Sequence, residues 1–259
     1  MKIAVFDIQR GSFVDGDGIR TAVFFKGCNL RCAWCHNPEG LSSEKQMMYY
    51  RERCTGCGKC TKECPNEGKY CTLCGKCAEF CPSGARELCG KEYDVDELFD
   101  IILRDKPYFD ASNGGVTATG GECMLQKDAL SELLRLCKEN GINTAVDTAG
   151  NVPFEFFEKV IPYTDTFLYD IKCISDDKHK RGTGVSNALI LENLGRLSER
   201  GCDIVIRIPV IPGFNDDAYE VEKIKEHLKK IRCRKIEYLP YHKMGEHKYE
   251  ALGLEFKNF

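Results

Sequence analysis

The sequence predicts an α/β fold: an open, partial (β/α)6 barrel of parallel strands, interrupted early by a small cysteine-rich domain. Two patterns predict it. Six strand-like runs alternate with helical runs through short loops, and the stretch 49–89 replaces that rhythm with closely spaced cysteines. Strand followed by helix, repeated, implies parallel strands joined by right-handed crossovers. Six such units are too few to close the usual eight-fold barrel. In chain order, Arg20–Phe25 is a continuous strand-like run, and the insertion follows. Asp94 and Glu97 then form a capping-box-like helix start, with Leu98, Phe99, Ile101 and Ile102 on a buried face. Val116–Thr119 is the second strand. Residues Lys127–Glu139 carry Leu130, Leu133, Leu134 and Cys137 at helical spacing and stop at Asn140-Gly141. Strands Thr144–Thr148 and Thr166–Lys172 come next, then a helix over Ser186–Arg200 ending at Gly201. Strand Ile204–Val210, helix Asp217–Ile231 and strand Lys235–Tyr241 complete the series. The barrel thus takes residues 1–48 and 90–259, and the insertion takes 49–89.

The 259 residues suffice for one large α/β domain with such an insertion. A net charge of -3 and a pI near 6.0 argue against a broad nucleic-acid-binding face. No apolar run approaches a membrane span, so no membrane partner is expected. The opening MKIAVFDIQR is too short an apolar segment for a signal peptide, because Asp7 interrupts it. The expected location is the cytoplasm.

Seventeen cysteines dominate the composition, and eleven of them fall into three metal-like runs. Cys28, Cys32 and Cys35 lie in GCNLRCAWCHNPEG, directly after the first strand. A cubane 4Fe–4S cluster has four irons, each needing one outside ligand, so three cysteines in a tight loop leave one iron open. A zinc knuckle is the alternative, but it usually shows paired Cys-x2-Cys units. His36 directly follows Cys35, too close to complete a tetrahedron easily. The other two runs match each other: Cys54, Cys57, Cys60 and Cys64-Pro65, then Cys71, Cys74, Cys77 and Cys81-Pro82. This is the bacterial-ferredoxin pattern, in which the fourth cysteine of each run crosses to the other cluster. Cys54, Cys57, Cys60 and Cys81 then hold one cube, and Cys71, Cys74, Cys77 and Cys64 the second; paired zinc sites are the alternative. The remaining Cys89, Cys123, Cys137, Cys173, Cys202 and Cys233 read as small apolar residues.

Chemistry in parallel barrels sits at the carboxyl ends of the strands, and the unusual polar residues fall there. The second strand runs into Thr119-Gly120-Gly121-Glu122, the third into Asp147-Thr148 and the fourth into Asp170-Ile171-Lys172. Arg207 lies within the fifth, and His242 follows the sixth. The two glycines allow a ligand close to the backbone, and Glu122 suits an ammonium group. Lys172 and Arg207 suit a carboxylate or ribose, or else form barrel salt bridges.

The cysteine triplet, with the aromatic Trp34 before its third cysteine, resembles that of the radical S-adenosylmethionine (radical SAM) superfamily. Across nearly its whole length the chain resembles that superfamily's glycyl radical enzyme activating enzymes. The stretches that carry the resemblance are DGDGIR, CHNPEG, GGVTATGGE, VDTAG, HKRGTGVSNALILENL, IPVIPGFND and LPYHKMGEHKY. The resemblance implies three 4Fe–4S clusters and reductive cleavage of S-adenosylmethionine to methionine and a 5′-deoxyadenosyl radical, which takes hydrogen from a backbone glycine of a partner enzyme. It implies flavodoxin or ferredoxin as electron donor. It also implies that Gly-Gly-Glu holds the methionine ammonium, that His242 contacts the nucleotide, and that Asp15 helps hold the partner's glycine loop. Asp147, Thr148 and Asp170 match positions that bind a monovalent cation in a relative. A radical enzyme acting on a small molecule and a non-catalytic electron carrier are the rival readings. Cys123 departs from the family where relatives often carry proline. The family also usually continues a few dozen residues beyond LGLEFKNF.

Overall fold

Burial alternates along the first strand, β1 (Lys2–Ser12), with Ile3 and Val5 inward and their neighbours more exposed. This half-buried pattern suits an antiparallel strand. It is an element beyond the six that the strand–helix rhythm predicts. The computed structural model describes residues 1–256, so the last three residues of LGLEFKNF lie outside it. β2 (Arg20–Phe25) is buried at every position, as a strand covered on both faces must be.

A short hairpin of β3 (Gln46–Tyr49) and β4 (Arg86–Cys89) frames the insertion, and β5 (Lys91–Asp94) returns to the main sheet. The insertion holds two one-turn helices, α1 (Lys59–Lys62) and α2 (Lys76–Glu79). Two helices, α3 (Val95–Leu103) and α4 (Lys106–Ser112), lead into β6 (Gly115–Gly120). The rest alternates as predicted: α5 (Lys127–Glu139), β7 (Asn143–Thr148), α6 (Phe154–Val160), β8 (Thr166–Asp170), α7 (Asp176–Thr183), α8 (Ala188–Glu199), β9 (Ile204–Val210), α9 (Ala218–Leu228), β10 (Lys235–Pro240) and α10 (Glu246–Leu252).

The main sheet has the order β10-β9-β8-β7-β6-β2-β1-β5. From β10 to β2 the pairings are parallel; β1 pairs antiparallel with both β2 and β5. The six predicted strands are therefore the parallel ones, and the sheet is open at β10. Helices bury their apolar stripes on the sheet; α5 contributes Leu130, Leu133, Leu134 and Cys137, all fully buried. Both Asp94 and Glu97 complete the capping box of α3. Of the scattered cysteines, Cys89, Cys123, Cys137 and Cys173 are buried, and Cys202 and Cys233 pack half-buried on the core. Among the described residues no helix is long and apolar enough to cross a membrane.

β1, β2 and α4 are tied together by one carboxylate. Arg10 Nε and Thr21 Oγ1 donate to Asp105 at 2.9 and 2.6 Å. Burial opposes its charge, but those two partners hold Asp105 below the usual carboxylate range. Because the folded pKa is depressed, the stabilisation is complete above the unfolded value and is lost as pH falls through the folded one. Asp105→Ala, which strands the buried Thr21 hydroxyl, is expected to cost about 1–3 kcal/mol at pH 7. Denaturant midpoints of the two proteins should converge below about pH 4. Equal midpoints at pH 7 would refute the role.

Candidate active site

β2 delivers the cluster loop to the carboxyl end of the sheet, and three outside elements hold the loop there. Arg31 and Ala33 donate their amides to the carbonyls of Thr183 and Gly182, at the end of α7, at 2.7 and 2.9 Å. Trp34 packs on Phe214 with ring centroids 4.4 Å apart, beside Cys173 and Ile211. The Tyr249 hydroxyl of α10 donates to the Cys35 carbonyl at 2.9 Å. Trp34 is only 4% exposed, so its bulk anchors the loop from behind while its edge reaches the cavity.

Cys28, Cys32 and Cys35 are free thiols lining a cavity of about 380 Å³, the size range of a small-molecule site. Burial pushes the Cys28 and Cys35 thiols up to about 12 and raises Cys32 as well. Ligation to iron would reverse this, since a coordinating thiol is deprotonated outright. The Nε2 of His36 is already engaged with the carbonyl of His242 at 2.6 Å, and its ring stacks on His242 with centroids 4.0 Å apart. The sulfur donors lining the cavity are these three thiols, a number that suits a cubane with one iron open.

The facing wall comes from the strand ends. Thr119 Oγ1 donates to Asp147 at 2.8 Å, and the Arg207 guanidinium lies 3.3 Å from the same oxygen. Lys172 Nζ donates to Asp170 at 2.9 Å. Burial pushes Asp147 up to about 6, Arg207 opposing and Asp170 reinforcing the shift. Burial also works against the charge of Lys172, but Asp170, Cys32 and Asp147 hold it above the usual lysine range. A fixed pair of cations therefore stands opposite the thiols, each on its own carboxylate.

Gly120 and Gly121 line the cavity, whereas Glu122 does not. A Cβ on Gly120 (φ +110°) would lie 2.4 Å from the Phe25 amide nitrogen, and one on Gly121 would lie 2.3 Å from the Gly27 carbonyl oxygen. The glycines are required by the close approach of β2 and the cluster loop, whatever ligand also comes near. Glu122 is buried behind this ledge. Its carboxylate accepts from the Thr148 hydroxyl at 2.7 Å, the Met124 amide at 3.2 Å and the Ala149 amide at 3.0 Å. Burial pushes it up to about 7 against those three donors. Glu122 thus braces the loop after β7 and does not line the cavity. Thr148, with its hydroxyl spent on Glu122, faces the cavity from the end of β7. The Cys123 thiol fills the space beneath, pointing at the Ala118 and Asp147 carbonyls at 3.6 and 3.5 Å.

Loop 13–19 brings Asp15 to the cavity wall. The Asp15 carboxylate accepts from the Ser12 hydroxyl, and its carbonyl accepts from Thr117 Oγ1 at 2.6 Å. Arg207 Nη2 donates to Val14 at 2.7 Å, coupling this loop to the strand ends. Buried Arg20 holds the loop's far end, donating to the Asp17 carbonyl and to Thr117 and Asn143.

The two halves of the insertion repeat one backbone trace. Gly56 and Leu73, Gly58 and Gly75, and Glu67 and Gly84 occupy the same places in their runs, and all six have positive φ. Its eight run cysteines are free thiols. Tyr249 and the Lys248–Glu39 ion pair (2.6 Å) are site residues that sequence reasoning missed, and His36, weighed there only as a metal ligand, engages the His242 carbonyl instead. The tail motif LPYHKMGEHKY contains Tyr249 and Lys248 and was the available signal.

Three free thiols facing buried cations at the ends of an open parallel sheet suit the class of radical SAM enzymes. Residues 22–228 match the family described as Radical SAM superfamily, and the chain belongs to that superfamily. Its relatives narrow the class. It is 43% identical over 272 residues to the trans-4-hydroxy-L-proline dehydratase activating enzyme of Clostridioides difficile, covering 99% of this chain and 90% of that one. It is 42% identical over 274 residues to the choline trimethylamine-lyase activating enzyme of Oleidesulfovibrio alaskensis, covering 98% and 88%. Within the superfamily it falls among the activating enzymes of glycyl radical enzymes. The fold is shared with Streptococcus suis SuiB bound to S-adenosylmethionine at a TM-score of 0.56, with 13% identity, covering 89% of this chain and 41% of that one. Membership implies a 4Fe–4S cluster and S-adenosylmethionine.

Proposed function

We propose that Cys28, Cys32 and Cys35 hold the cluster that binds S-adenosylmethionine, and that Asp15 lies where a partner enzyme presents its glycine loop. The observation that carries this is the pairing of three free thiols with the Asp147–Arg207 and Asp170–Lys172 pairs across one cavity. The cluster, when bound, supplies the electron that splits the sulfonium into methionine and the 5′-deoxyadenosyl radical. The chain's own groups do the rest. Lys172 and Arg207 offset the methionine carboxylate. Thr119, Gly120, Gly121 and the brace of Glu122 set the ledge against which the amino end lies. His242, stacked on His36, sides the nucleotide, and Trp34 holds the cluster loop rigid. Asp147, Thr148 and Asp170 are the candidate positions for a monovalent cation: the methionine carboxylate adds a third negative group to Asp147 and Asp170, against the two cations Lys172 and Arg207.

In the insertion, Cys54, Cys57, Cys60 and Cys81 hold one further 4Fe–4S cluster, and Cys71, Cys74, Cys77 and Cys64 the other, three in total. A cytoplasmic flavodoxin or ferredoxin is the donor. The partner is a glycyl radical enzyme of the dehydratase, lyase or decarboxylase kind for which the relatives' activating enzymes are named.

The test is anaerobic co-expression with each such partner, followed by electron paramagnetic resonance (EPR) for a glycyl radical doublet. One partner is expected to give the doublet together with 5′-deoxyadenosine. Deoxyadenosine with no doublet from any partner would favour a small-molecule substrate. No cleavage at all, with dithionite as reductant, would favour an electron carrier.

A further inference from the structure

We propose that the two clusters of the insertion stand in a fixed order. The one held by Cys64, Cys71, Cys74 and Cys77 lies next to the barrel, and the one held by Cys54, Cys57, Cys60 and Cys81 lies outermost. This order rests on the three-cluster reading above and adds a direction to it. Electrons enter at the outer site, cross to the inner one, and leave past Lys26 toward Cys28.

The β3–β4 register fixes which end is which. Gln46 pairs with Cys89 at one end, and Tyr49 with Arg86 at the other. The Gln46 end is the barrel end: Lys26 Nζ donates to Gln46 Oε1 at 3.1 Å and to the Glu39 carbonyl at 2.6 Å. Gly90 closes over the same side chain, where an added Cβ would lie 2.6 Å from Lys26 Cδ.

The second cysteine run sits toward this end. Cys77 Sγ lies 3.8 Å from Met47 Sδ, and Gly75 faces Leu88, the register partner of Met47. Thr72 and Leu73, between Cys71 and Cys74, share a cleft of about 380 Å³ with Lys26, Lys45 and Gly90. The other ligand set sits at the far end. There the Tyr50 amide donates to the Ala85 carbonyl at 2.8 Å, one step beyond the Tyr49–Arg86 pair, and Cys54 and Cys81 each lie four residues further out along the chain.

From the inner run to the active-site loop the route is short in covalent terms. Across the cleft from Leu73 stands Lys26, and Lys26-Gly27-Cys28 is continuous backbone. Lys26 is only 2% exposed and stands between the cleft and the cluster loop. One electron taken from the low-potential donor passes through both sites to the Cys28 cluster. The donor is oxidised by one electron, the barrel cluster is reduced by one, and the insertion returns to its starting state.

The experiment reads spin relaxation, which reports nearness of paramagnetic centres independently of turnover. Dithionite-reduced protein is examined by EPR, and the barrel-cluster signal is identified as the one that shifts on adding S-adenosylmethionine. The double variant Cys54→Ala/Cys57→Ala is expected to leave its half-saturation power near the wild-type value. Cys71→Ala/Cys74→Ala is expected to lower it several-fold, because the fast-relaxing neighbour is gone. The reverse pattern, or equal effects, overturns the order. Iron analysis separates this from the underlying reading: wild type should hold about twelve irons and each double variant about four fewer. Wild type holding about four would instead overturn the three-cluster reading. If a double variant loses both insertion clusters, Cys57→Ser and Cys74→Ser keep an oxygen ligand at each site. Only Cys74→Ser is then expected to alter the barrel signal's relaxation, and an effect confined to Cys57→Ser overturns the proposal.

Discussion

Cys32→Ala is expected to abolish S-adenosylmethionine cleavage and to lower iron content by about four per chain, leaving the insertion's iron in place. The reason is arithmetic at the metal. On the proposed assignment three loop thiols would serve four irons so that one iron can take the substrate; with two thiols, two irons would lack a protein ligand and the cube would no longer be held. His36 is a poor rescuer, because its Nε2 is committed to the His242 carbonyl. The substitution itself is mild for the fold, since Ala fits wherever Cys does and the Arg31 and Ala33 amide straps are backbone bonds. Cys202→Ala is the control: Cys202 packs half-buried on the core and is expected to leave iron and cleavage intact. Deoxyadenosine formation by Cys32→Ala at the wild-type rate would overturn the cluster assignment.

Gly121→Ala is expected to destabilise the protein by about 3 kcal/mol or more, because its Cβ meets backbone rather than a movable side chain. The nearest atoms are the Gly27 and Gly40 carbonyl oxygens, at 2.3 and 2.6 Å. Both belong to the segment that carries Cys28 and the CHNPEG stretch, so relief of the clash must push the cluster loop outward. Melting should fall by roughly 6–12 °C, and cluster loading should fall with it. Gly120→Ala adds a strained φ of +110° to a comparable clash and should be worse. An unchanged melting temperature in Gly121→Ala would show that the ledge is not tightly packed.

Much of the barrel is legible in the sequence. The parallel strands are runs of apolar residues between helices of clear periodicity, and each begins and ends within a residue or two of its expected bounds. β1 and β5 are less legible. Their membership depends on pairing with β2 and with each other, a relation between distant segments that no local pattern encodes. The cavity's membership is legible for a similar reason: parallel strands carry their carboxyl ends to one side, so Asp147, Asp170, Lys172 and the cysteine loop had to share it. Side-chain direction is another matter. Glu122 looks like a ligand for an ammonium group, yet its carboxylate turns to Thr148 and Ala149. Gly120 and Gly121 look like an opening for a ligand and do line the cavity, yet it is the backbone of β2 and the cluster loop that forbids a Cβ there.

By itself, the sequence determined the chemistry this chain can attempt, because ligand number per metal is set by which residues occur at which short spacings. Only the tertiary structure decided how that chemistry is held. Tyr249 against Cys35, Arg207 against Val14 and Lys26 against Gln46 join residues far apart along the chain. Such partners are selected by packing in three dimensions, and spacing along one dimension carries no record of them.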